Sequence, residues 1–126
     1  KRVTAEYANY RKRVERDREA QRDAAVAAVL AEMLSILDDV ERARQHGEGS
    51  GGFKSVADAL EAAAEKFGLE AFGTEGEPFD PTFHEAMTSE QSDEVTEPTV
   101  GLVYQIGYRL GGRLLRPARV GVIDNS

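Results

Sequence analysis

Apolar positions recur at steps of four and three through the first third of the chain. Val26, Leu30, Met33, Leu37 and Val40 hold one seam, and Val29, Leu34 and Ile36 widen it into a bundle-type stripe. Upstream, the same rhythm gives Val3, Tyr7, Tyr10 and Val14, then meets Asp17 and Gln21, so the seam there weakens and turns polar. No Pro or Gly interrupts the chain before Gly47, and the pattern predicts one helix over residues 1–46. At a rise of ~1.5 Å per residue that helix is about 70 Å long. Alone it has nothing to bury its stripe against, so it needs a partner, most simply a second copy of itself. The run Gly47-Glu48-Gly49-Ser50-Gly51-Gly52 ends the helix. Phe53, Val56, Leu60, Ala63, Ala64 and Phe67 then predict a second helix, which Gly68 closes. So short a connection suits an antiparallel hairpin, and two hairpins, one per chain, make a four-helix bundle. The expected dimer interface is Val26, Leu30, Met33, Leu37, Val40, Phe53, Val56, Leu60 and Phe67.

After Gly68 the texture changes from helical to alternating. Leu69-Glu70-Ala71-Phe72 is a short strand candidate, followed by the turn-rich Gly73-Thr74-Glu75-Gly76. Asp80-Pro81 is a good helix start, which predicts one or two helical turns over Thr82 to Met87. Residues 88–98 are acidic and read as strand remnants and loop. From Thr99 the alternation predicts one face shared by Val100, Leu102, Tyr104, Ile106, Tyr108 and Leu110. Gly111-Gly112 marks a hairpin turn, and Leu115, Ala118, Val120 and Val122 continue the sheet past an edge or bulge at Pro117. The fold class is therefore α+β, in three parts: a long helix over 1–46, a glycine-rich connection with a second helix over 47–68, and a small all-β domain over 69–126.

Composition narrows the function classes. The 126 residues carry 16 Lys+Arg and 23 Asp+Glu, a net charge of −7, yet residues 1–25 hold eight basic and five acidic side chains. That basic excess suggests a nucleic-acid-binding helix, but Glu15, Asp17, Glu19 and Asp23 interleave with Arg11, Lys12, Arg13, Arg16, Arg18 and Arg22. A solvated face of intrahelical ion pairs is the simpler reading, and no nucleic-acid partner is expected. With no cysteine there is no disulfide, no thiolate metal site and no cysteine nucleophile. No apolar run approaches the ~20 residues that span a bilayer, so a cytoplasmic protein with no membrane partner is expected. The chain opens on Lys1 rather than Met and is expected to begin mid-protein.

No catalytic constellation emerges. His46 and His84 have no second histidine at metal-ligand spacing, and neighbouring carboxylates such as Asp38-Asp39 and Asp93-Glu94 point in different directions. His84 is expected to serve packing and hydrogen bonding. The glycines at 107, 111 and 112 lack the Lys-Ser/Thr pair of a phosphate loop. Neither an enzyme nor a cofactor or metal site is expected.

Two separated stretches carry a family resemblance. The first is Phe79-Asp80-Pro81-Thr82-Phe83-His84-Glu85-Ala86-Met87. The second, nineteen residues later, is Gly107-Tyr108-Arg109-Leu110-Gly111-Gly112-Arg113-Leu114-Leu115-Arg116-Pro117-Ala118-Arg119-Val120-Gly121-Val122. Together they resemble the signature of GrpE, the nucleotide exchange factor of DnaK-type chaperones. Tyr7 to Arg13 and Leu34 to Ala43 resemble that family's long helix. The resemblance implies a parallel homodimer with long paired helices, a four-helix bundle and two C-terminal β domains. It also implies a partner, the ATPase domain of a DnaK-type chaperone, whose cleft is pushed open so that ADP leaves. Contacts carried over from the family point to a sheet face around Tyr104, Arg113 and Val122. The competing reading is a structural coiled-coil adaptor whose β domain binds a different protein.

Overall fold

The computed structural model describes residues 2–47 and 51–125; residues 48–50 of the predicted connection lie outside that set. Among the described residues two helices lead: α1 over Arg2–Gln45 and α2 over Gly51–Lys66. Six strands follow: β1 over Leu69–Phe72, β2 over His84–Gln91, β3 over Thr99–Gln105, β4 over Gly107–Leu110, β5 over Arg113–Arg116 and β6 over Ala118–Asp124. This is the α+β layout expected from the sequence. The chain divides into two compact units, Lys1–Leu34 and Ser35–Ser126.

Among its described residues the first unit is helix alone. From Arg2 through residue 25 its side chains are exposed except for half-buried Val14, and Val3, Tyr7 and Tyr10 stand in solvent. Toward its end Ala27, Leu30 and Leu34 are buried, whereas Val26 and Met33 are half-buried and Val29 is exposed.

In the second unit the last turns of α1 lie alongside α2. Arg44 donates to both oxygens of Glu61 (2.9 and 2.7 Å) and to Asp58 (3.0 Å), while Lys54 donates to Asp58 at 2.7 Å. The hydrogen bond from Arg44 to Glu61 holds the guanidinium above its ordinary pKa, and the one from Lys54 holds the Asp58 carboxyl below its own. Leu37 and Val40 are buried, together with Ala57 and Ala64 of α2. Two alanines of α2 thus face inward, while Ala59, Ala62 and Ala63 are exposed. Of the apolar residues expected at an interface, Phe53 and Leu60 are half-buried and Val56 and Phe67 are exposed.

The strand region is two three-stranded sheets, in orders β1-β4-β5 and β2-β6-β3. All pairings are antiparallel except β2 with β6, which run parallel. Val100 of β3 and Ala118, Val120 and Val122 of β6 form the core on one face of the second sheet, with Phe72 of β1, Phe79 and Val103 packed against it. The chain crosses between sheets at Ile106 and again at Pro117, each a single residue separating two strands. Pro117 has no N–H to give a ladder, which suits this break.

Two local expectations are corrected. The helical turns expected over Thr82 to Met87 are a turn at 81–83 followed directly by β2. Asp80 does cap: its Oδ1 accepts from Thr82 N–H, and its carbonyl accepts from Phe83 and His84 N–H. The helix goes no further because Ala118 N–H donates to the Phe83 carbonyl and His84 enters parallel register with Ala118. Nor do Val100 through Leu110 share one face. Register shifts between Val100 and Leu102 and between Val103 and Gln105, then the crossing at Ile106, leave Val100 and Tyr108 buried but Leu102 and Tyr104 exposed.

Candidate partner-binding interface

The face of the β2-β6-β3 sheet turned away from the core follows from the alternation of β6. Ala118, Val120 and Val122 point inward, so Arg119 and Gly121 belong to the outer face. A Cβ at Gly121 would sit 2.6 Å from Thr88 Oγ1, 3.5 Å from Leu102 Cβ and 3.7 Å from a ring carbon of Tyr104. The missing side chain on the central strand thus lets residues from both edge strands close over it. Thr88 of β2 and Tyr104 of β3 meet there, hydroxyl to hydroxyl, at 3.3 Å. The result is a platform of Leu102, Tyr104 and Thr88 with an apolar centre. Leu102 and Tyr104 keep 54% and 55% of their surface exposed. Met87, at the β2 bulge, is exposed beside it. A Glu85–Arg119 pair at 3.8 Å spans the adjoining register position of the same two strands. Tyrosine with neighbouring aliphatics and a polar rim is the composition of a protein-binding surface.

Beside the platform runs an open groove of about 660 Å³. Asp38, Glu41, Arg42 and Gln45 of α1 form one wall, and Gly73, Thr74 and residues 102–106 form the other. Tyr104 belongs to both features.

The three residues expected to form one contact face are not brought together. Tyr104 stands in the platform. Val122 is on the opposite side of its sheet, buried in the core. Arg113 is exposed, but on β5 in the other sheet, directly after the Gly111-Gly112 turn. Simple alternation places Leu102 on one face with Val100, and the structure parts the two. The signals that identify its true position are Gly101, beside the register shift of β3, and Gly121, set between two inward valines.

His84 is committed to structure. Asp80 N–H donates to Nδ1 at 2.9 Å, which leaves Nε2–H to donate to Glu77 at 2.6 Å, and the ring stacks on Phe79. Both ring nitrogens are thereby engaged. Among the described residues no group of His, Asp and Glu is placed to hold a metal ion, and no helix is long and apolar enough to cross a membrane.

Comparison with known proteins follows the same lines. The chain is 58% identical over 123 residues to Protein GrpE of Streptomyces coelicolor, 53% over 124 to that of Mycolicibacterium paratuberculosis and 51% over 125 to that of Mycobacterium tuberculosis. Each match takes in 98% of this chain and 53–55% of the relative, so the chain spans about half the length of the curated relatives it matches. The family profile described as GrpE matches residues 1–124, which embraces both helices and every strand, and the chain belongs to the GrpE family.

Proposed function

We propose that this chain acts, as a homodimer, as a nucleotide exchange factor for a DnaK-type chaperone, docking the strand region on the ATPase domain and favouring an open cleft from which ADP departs. Family membership over 1–124 supports the role. The observation that carries the docking assignment is the exposed platform of Leu102 and Tyr104 over Gly121. Arg113 acts separately, as an exposed cation beyond the hairpin turn, suited to a bidentate grip on a partner carboxylate. Val122 contributes by holding the sheet from beneath. Dimerisation uses the apolar residues the single chain leaves in solvent, among them Val29, Ile36 and Val56 on the two helices.

The action is binding alone. A partner that favours the open cleft weakens ADP by the same coupling free energy that ADP exerts on the partner. A coupling of ~3 kcal/mol lowers ADP affinity about 150-fold, and most of that appears as faster release. The test is a chaperone loaded with fluorescent ADP. Adding this chain at substoichiometric dimer should accelerate release, and an unchanged release rate contradicts the proposal.

A further inference from the structure

One guanidinium holds together parts of the fold that are far apart in sequence. Arg116 is the last residue of β5, immediately before the crossing at Pro117. Its Nε donates to the carbonyl of Ile106, the residue of the other crossing, at 2.9 Å. Its plane lies over the Tyr108 ring at 5.3 Å. Its two remaining nitrogens reach out of the strand region altogether and grip Asp38 of α1 in a fork, Nη1 to Oδ2 at 2.9 Å and Nη2 to Oδ1 at 2.6 Å. The Asp38 and Arg116 side chains are 33% and 18% exposed, so the pair is partly withdrawn from screening water.

Two parallel charge-assisted bonds between planar groups fix an angle as well as a distance. Both points where the chain passes between the two sheets are thus referred to one carboxylate on the helix. The groove described above opens beside this pair, with Asp38 itself in the helical wall. If the strand lobe turned on its attachment to α2, it would close or widen that groove and would have to break the fork.

We propose that Asp38–Arg116 is a positioning clamp that sets the angle of the strand lobe to the helical hairpin, and that stimulation of ADP release depends on it. The second part rests on the exchange function proposed above. A ligand shifts an equilibrium only by its differential affinity for the two states. A lobe free to swivel follows the closed and open clefts equally well, so it still docks but no longer discriminates between them. Loss of the clamp therefore lowers the maximal exchange rate and spares the concentration needed for half-saturation. Loss of a merely stabilising contact would leave both unchanged in a chain that remains folded.

Asp38→Ala tests this while leaving Arg116 its bonds within the strand region, and Asp38→Glu retains the carboxylate. Because the chain has no cysteine, Gln45→Cys with Glu90→Cys gives two unique spin-label sites, one on α1 and one on β2. Labelled chain is measured diluted in unlabelled chain. Asp38→Ala should broaden the label-to-label distance distribution and lower the maximal exchange rate about tenfold, with half-saturation changed by less than about twofold. Asp38→Glu should recover part of both. An unbroadened distribution overturns the clamp. So does a full maximal rate in Asp38→Ala when the wild-type chain is active. Should the wild-type chain fail to accelerate release, the exchange reading falls by itself, and the distance distribution still decides for or against the clamp.

Discussion

Tyr108 is buried close to the charges of Asp38 and Arg116. Burial pushes its phenol above the ordinary value of 10.0, and the Asp38 carboxylate adds to the shift, with Arg116 opposing it. A group raised in the folded state contributes stability that is fully present below its unfolded pKa and is lost as pH climbs through the folded value. Stability should therefore fall on the alkaline side, from about pH 10 upward. Urea midpoints measured across that range should fall more steeply for the wild type than for Tyr108→Phe, and parallel curves would contradict the assignment. Gly107 gives a steric counterpart. A Cβ there would come 2.5 Å from Cζ of Phe72 and 2.6 Å from the backbone nitrogen of Ala118, where one sheet hands over to the other. Gly107→Ala should cost about 1–3 kcal/mol, read as a lower urea midpoint at unchanged slope. An unchanged midpoint would show that the junction yields freely.

The elements differ in how much holds them. The second unit has its buried valines, its aromatic cluster around His84 and the ion pairs of Arg44 and Arg116, whereas the helix up to residue 25 is almost wholly exposed and its seam is interrupted at Asp17 and Gln21. Part of the helicity should melt in a separate transition below that of the strands. Circular dichroism tests this if Tyr7 and Tyr10 are changed to Phe, so that the tyrosine signal comes from Tyr104 and Tyr108. One shared transition would contradict it. Helices of this kind are legible in sequence because their signals are local: three-and-four spacing, no breaker before Gly47, a stop at Gly68. The hairpin at Gly111-Gly112 and the break at Pro117 are legible for the same reason. The strand beginning at His84 is not, since its partner Ala118 is distant in sequence and Asp80-Pro81 satisfies every local rule for a helix start. Leu102 escapes for a related reason. A bulge displaces the alternation by one residue, and period-two reading then carries every later side chain to the wrong face. Tyr104 lands on the candidate face through the family resemblance, and Val122, carried over in the same way, lands in the core.

At the scale of the molecule the parts divide the labour. The strand region offers a surface, the helices leave apolar side chains in solvent for the proposed second copy, and the fork between Asp38 and Arg116 refers the surface to the helix. Exchange as proposed requires no bond chemistry on the chain itself, only a preference for one shape of the partner. The most direct measurement compares ADP release from a DnaK-type chaperone in the presence of the wild-type chain and of Leu102→Asp/Tyr104→Asp, with the helicity and thermal transitions of both checked first. Acceleration by the wild type and its loss in a folded double variant are expected. Full acceleration by that variant would contradict the claim that the outer face of the β2-β6-β3 sheet is what engages the partner.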